Sequence, residues 1–413
     1  MLNVKAPDEV LEIISKLPEK LNKHKLSLPF KSETLKTSDA IGRILAVDIV
    51  ASEDVPGFDR STVDGYAVRA SDTFGCSESI PAVLSLVGEV LMGESASDMF
   101  GADSVLAVGS CAAVSTGGEL PYGADAVVMV EFSEDYGSGM IGVFKPVAPG
   151  NNTIFRGDDV SADDVVLSAG TELKPGDIGI LSALGYTSVD VRRRQLVGVI
   201  STGDEIVDVS IKPRSGQVRD INTSLLISAV SSFGAIAEDF GIIRDDEEAI
   251  RSSVRLAVEN CDIVLISGGS SAGARDMTAR VIESEGELLL HGIAMKPGKP
   301  TILGVVGGKP VFGLPGHPVA AYLVTELFVR PLIAEFMGAE LKRSSTRAKL
   351  GEAVSANHGR AEYIAVCLDE GIAVPVRGKS GLISSLTGVD GYICIPRDCE
   401  GLAKDTEVVV TYF

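Results

Sequence analysis

From Leu196 onward the chain alternates apolar runs with stretches of helical period, and this alternation limits the available folds more than any other feature. Leu196 to Ile200, Ala235 to Ile243 and Ile263 to Ile266 read as strands; Asn222 to Phe233, Asp246 to Asn260 and Met277 to Ser284 read as helices. In the second helix Ile250, Val254, Ala257 and Val258 recur at helical spacing and form one buried stripe. Strand-helix-strand units of this length build a helix-covered sheet, so a doubly wound α/β domain is expected.

Other patterns flank it. Val10, Ile13, Ile14 and Leu17 predict an amphipathic helix that stops before Pro18. Residues 51–150 are Gly-rich with β-type runs, Pro81 to Val87 and Ala126 to Val130, and read as a β-rich domain. Beyond residue 340 the short runs Tyr363 to Leu368, Ile372 to Val376, Tyr392 to Ile395 and Val408 to Tyr412 suit a small barrel or sandwich.

Charge narrows the function. The chain has 57 Asp and Glu against 37 Lys and Arg, a net −20, which opposes a sequence-independent grip on nucleic acid. Residues 51–150 hold 15 acids and 3 bases, whereas residues 195–335 hold 18 and 12, so the surplus is concentrated in the β-rich part. Val319 to Met337 is interrupted by Glu326, Arg330 and Glu335, so it reads as a core helix and no membrane span is expected. The first residues lack the basic start and apolar stretch of a signal peptide, and Cys76, Cys111, Cys261, Cys367, Cys394 and Cys399 form no CxxC pair. A cytoplasmic protein with reduced thiols is the expectation.

In an open α/β sheet, ligands bind beyond the carboxyl ends of the strands. The segments there are Ser201 to Glu205, Arg244-Asp245-Asp246, Ser267 to Asp276, and Gly313 to Pro318. Gly268, Gly269 and Gly273 let backbone N–H groups approach an anion, of which phosphate is the obvious one. Glu205, Asp245 and Asp276 put carboxylates at the same edge, which suits Mg²⁺ carried with a phosphorylated ligand. The alternative is that the acids cap helices, Asp245 before the 246–260 helix and Asp276 before the 277–284 helix. Lys296 and Lys299 lie in a turn stiffened by Pro297 and Pro300, aimed at a ligand or simply solvated.

Two motifs fail. Gly137 to Gly142 matches GxGxxG by letter, but no helix follows and a hairpin turn is expected; no GxxxxGK[ST] loop occurs. Asp64-Gly65 and Thr116-Gly117-Gly118 read as turns on local chemistry.

Seven segments in order change that reading: Ser61 to Ala67, Thr116 to Met129, Arg156 to Asp159, Ser201 to Glu205, Gly268-Gly269, Lys296 to Pro300 and Gly313 to Pro318. Together they resemble the MoeA family of molybdopterin molybdenumtransferases, which includes the E domain of gephyrin. The resemblance implies four parts: an N-terminal and linker domain (1–50 and 151–194), a β-rich domain (51–150), an α/β molybdopterin-binding domain (195–335) and a C-terminal β-barrel (336–413). It implies a Mg²⁺-dependent reaction in which adenylylated molybdopterin takes up molybdate, or tungstate, and AMP leaves. It further implies a homodimer in which Asp64 and Thr116 of one subunit complete the other's site. Carried over by position, Glu205, Asp245 and Asp276 hold Mg²⁺ or molybdate; Gly268, Gly269, Ser270, Lys296 and Lys299 contact the ligand; Pro315 and Pro318 shape the pocket; Asp159 and Ser380 match functional positions. Gly292, Ala365 and His317 depart from the lysine, arginine and asparagine usual at their positions. A molybdopterin adenylyltransferase and a gephyrin-like scaffold are the competing readings. The first lacks the domain bearing Asp64 to Ala67, and the second calls for linkers that this chain does not show.

Overall fold

The computed structural model describes every residue except 1–3, 24–30, 102–104, 269–271, 342, 377 and 379, and gives only the backbone for 272–276. Its α/β part runs β1 (Leu196–Thr202), α1 (Asn222–Ser232), β2 (Ile236–Ile243), α2 (Glu247–Asn260), β3 (Ile263–Gly268), α3 (Ala272–Glu285), β4 (Gly286–His291), β5 (Ile302–Val306), β6 (Lys309–Leu314) and α4 (Pro318–Val324). The six strands form one sheet in the order β2-β1-β3-β6-β5-β4. The first four are parallel, and β5 and β4 add an antiparallel edge. Residues such as Val197, Val199, Ile263 and Leu265 are buried because both faces of the sheet are covered.

The N-terminal helix Pro7–Lys23 does not stop before Pro18; it continues through it. A proline inside a helix costs about 3 kcal/mol, but Val10, Ile14, Leu17 and Leu21 all join the α/β core. Each such burial contributes about 1.5–3 kcal/mol, so packing outweighs the local penalty. This helix therefore packs with the α/β part, although residues 1–50 were expected beside the linker. The linker core itself contains Ala40, Leu45, Leu173, Leu181 and Val191, held by pairing of Ser32–Lys36 with Ser188–Arg192.

The β-rich part is a six-stranded sheet in which Gly65–Val68, second from one edge, lies between Ala126–Met129 and Ser110–Val114. Gly65 is thus in a strand rather than a turn; a Cβ there would come within 1.9 Å of the Val128 carbonyl oxygen. The GxGxxG look-alike is a hairpin turn, with Ser138 and Gly139 at positive φ between paired strands. Of the two C-terminal alternatives, barrel or sandwich, the chain forms the barrel. Five strands close on one another because Ala361–Asp369 pairs with both Ile372–Pro375 and Gly391–Ile395. Tyr392 and Phe413 of the barrel pack towards Tyr322 and the α/β core, which fixes the barrel beside the ends of the parallel strands. The Val319 to Met337 stretch is helical and largely buried, and no described helix is long and apolar enough to cross a membrane.

Candidate functional site

The parallel strands end in a tight seam. Thr202 and Gly268 are register partners at the ends of β1 and β3, and Gly268 has φ +150°. A Cβ on Gly268 would sit 2.1 Å from the Thr202 carbonyl oxygen, so only glycine lets the two ends meet. From β6 the chain enters the buried Pro315, then Gly316 and His317, and Pro318 begins α4 with no N–H to leave unsatisfied.

Asn222, the first residue of α1, ties these ends together. Its Nδ2 donates to Ser267 Oγ at 2.7 Å and to the Gly316 carbonyl at 2.9 Å. It is buried, and its Oδ1 has no hydrogen-bond partner among the described residues. Sequence reasoning passed over it because an asparagine at a helix start already has a sufficient explanation as a cap. The nearby Asp220, whose carboxylate accepts from Thr223 N and Oγ1, was the available signal: the helix start already had an acid to cap it.

The acids are not helix caps. Asp246, not Asp245, caps α2, its Oδ1 accepting from Ala249 N at 2.9 Å. Asp276 lies inside α3, which begins at Ala272, so it cannot cap that helix; its side chain is outside the described residues, as are Gly269 and Ser270. Asp245 is half-buried and its Oδ1 is enclosed without a partner among the described residues. Burial pushes its carboxyl above the usual range, the Glu205 and Asp204 charges push it further, and a Thr202 hydrogen bond partly opposes them. Glu205 and Asp245 therefore repel as like charges, and Asp245 carries an enclosed unpaired oxygen, an arrangement that a bound cation would relieve. Among the described residues no three His, Cys, Asp or Glu side chains form a complete cation site.

The barrel reaches this edge twice. Ser380 Oγ lies 2.8 Å from His317 Nδ1, and its carbonyl accepts from Val319 N. Lys296 Nζ donates to Glu362 Oε1 at 2.7 Å, while Lys299 is exposed on the same turn. Gly292 has φ +111°, and a Cβ there would press to 3.2 Å from Val4, so this backbone is not shaped for the usual lysine. Ala365 is buried within the barrel strand Ala361–Asp369.

Asp64 and Thr116, 52 residues apart, are brought together in the β-rich part. Thr116 N and Oγ1 both donate to Asp64 Oδ1, at 2.7 and 3.0 Å. These bonds, the backbone one foremost, hold the Asp64 carboxyl below the usual range although the residue is exposed. Gly117 N to Ser61 O and Ser61 N to Gly118 O stitch the two loops. Asp159 lies apart on an exposed loop, its N–H donating to the Val55 carbonyl at 3.0 Å.

Three family models match the chain in succession. They are the MoeA N-terminal region (domain I and II) over residues 6–185, the probable molybdopterin binding domain over 198–335, and the MoeA C-terminal region (domain IV) over 347–413. The molybdopterin molybdenumtransferase of Bacillus subtilis is 31% identical over 390 residues, covering 92% of this chain and 89% of its own. That of Haemophilus influenzae is 35% identical over 313 residues, covering 76% and 75%. A solved molybdopterin biosynthesis MoeA protein from Pyrococcus horikoshii superposes with a TM-score of 0.85 at 33% identity, covering 99% of this chain and all of its own.

Proposed function

The chain belongs to the MoeA family of molybdopterin molybdenumtransferases, enzymes of molybdenum cofactor biosynthesis, and we propose that it transfers molybdate to adenylylated molybdopterin with release of AMP. The observation that carries this reading is the seam at the strand ends. Gly268 exposes backbone there, Glu205 and Asp245 present carboxylates, and Lys296 brings an ammonium from the adjoining turn.

Each part has a role set by its chemistry. The backbone at Gly268 to Ser270 and the Lys296 and Lys299 side chains bind the phosphates of the ligand. Glu205 and Asp245, with Asp276, hold Mg²⁺; the ion supplies neutralisation of charge on the phosphoanhydride. Pro315 and Pro318 keep the pocket wall rigid, and Ser380 approaches it from the barrel. Tungstate in place of molybdate fits the same anion chemistry. Asp64, kept ionised by Thr116, belongs to a site shared across a homodimer, and Asp159 contributes from an exposed loop of the linker part. A soluble, cytoplasmic location agrees with this substrate class.

Mixing two inactive variants tests the shared site. Asp64→Ala and Asp245→Ala are each inactive alone, but subunit exchange creates dimers with one intact site and restores about a quarter of wild-type AMP release. Absence of any recovery after verified exchange places both residues in one subunit's site.

A further inference from the structure

We propose that Glu362 is a positioning residue that aims Lys296 at the anionic ligand. The inference rests on the ligand-binding role of Lys296 given above. Met295–Lys296 runs parallel to the start of the barrel strand Ala361–Asp369, and Lys296 and Glu362 are register partners on it. Register partners on adjacent strands project their side chains to the same face. The pair closes at 2.7 Å, with the lysine side chain 49% exposed and the glutamate only 11%. The other carboxylate oxygen, Oε2, is buried with no hydrogen-bond partner among the described residues.

That asymmetry separates the pair from an ordinary surface ion pair. A surface pair contributes little and leaves both ends solvated. Here one end is buried, which is costly, and its orphaned oxygen adds to that cost. An apolar residue at position 362 would join barrel to sheet more favourably. What it could not do is hold the ammonium. Pro297 and Pro300 already restrict the turn's backbone, but four methylenes remain free to rotate; Glu362 restrains their tip. One N–H of the ammonium goes to Glu362 and two remain for ligand oxygens. With its charge compensated, Lys296 acts as a directed donor more than as a source of field. The Ser380 to His317 contact is a second place where a barrel side chain meets a loop at the strand ends.

A double-mutant cycle tests this, with AMP release from adenylylated molybdopterin under molybdate and Mg²⁺ as the readout. Lys296→Ala and Glu362→Ala should each raise KM about tenfold. Glu362→Gln, which keeps an acceptor for the ammonium, should recover most of the loss. The double variant should be no worse than Lys296→Ala alone. Independent, multiplying losses overturn the inference, as do equal losses in Glu362→Ala and Glu362→Gln accompanied by equal falls in Tm. An improved KM in Glu362→Ala overturns it too, since the carboxylate would then be competing with the ligand. If Lys296→Ala alone has no effect, the ligand-binding role itself fails and the inference falls with it.

Discussion

Thr116 grips a single oxygen of Asp64 twice, through its backbone N–H at 2.7 Å and its hydroxyl at 3.0 Å. Because the folded pKa of Asp64 is depressed, its contribution to stability is present above the unfolded value of about 4 and is lost as pH falls through the folded value. Thr116→Val deletes the hydroxyl and keeps the backbone bond. We expect the Asp64 carboxyl to titrate at higher pH in that variant, though still below its unfolded value, by carboxyl-carbon NMR. An unchanged titration would show that the hydroxyl bond is not formed in solution.

Asp245 presents the opposite case. Its carboxylate is disfavoured by burial and by Glu205, so Asp245→Asn should raise Tm in metal-free buffer while abolishing AMP release. Mg²⁺ should then raise the Tm of the wild type and leave the variant unmoved. Equal stabilisation of both by Mg²⁺ would remove Asp245 from the cation site.

Asn222 bonds two loop ends at once, so Asn222→Ala should destabilise the α/β part by about 2 kcal/mol in chemical denaturation. Ser267→Ala, which leaves the Gly316 bond intact, should cost less. If the two variants are equally stable, the Gly316 contact contributes nothing.

Thiol reactivity gives an independent check on burial. Burial pushes Cys111 and Cys261 up to about 12, and all six cysteines are free. Iodoacetamide at neutral pH should label the partly exposed Cys367 and Cys399 well before either. Early labelling of Cys111 would contradict the packing of the β-rich sheet.

Legibility followed the range over which each signal acts. The strand and helix order from Leu196 to Ser284 was readable because period and burial are local, and the six expected elements lie within five residues of their observed bounds, whereas the antiparallel edge strands β4 and β5 had no expected counterpart. Helix continuation through Pro18 was not, because the apolar contacts that carry it come from residues such as Leu332 and Phe336, over three hundred positions away. Asp245 read as a cation ligand with helix capping as the alternative, and the alternative falls because the Asp246 side chain takes the capping role. The Asp64 and Thr116 pair looked like two unrelated turns by local chemistry; only the family resemblance joined them, and the 2.7 Å bond gives the physical reason. Glu362 carried no local signal, since it is defined by a partner on a distant segment, and Asn222 carried only the indirect one of Asp220 already standing at the helix start.

The proposed molybdenum insertion at a site shared across a dimer is tested most directly through its leaving group. The direct measurement is AMP release from adenylylated molybdopterin with Mg²⁺ and molybdate or tungstate, in wild type and in Asp64→Ala. The account predicts AMP released in step with formation of active cofactor in the wild type, and neither product from the variant. No AMP with either oxyanion, or release that Asp64→Ala leaves intact, would contradict it.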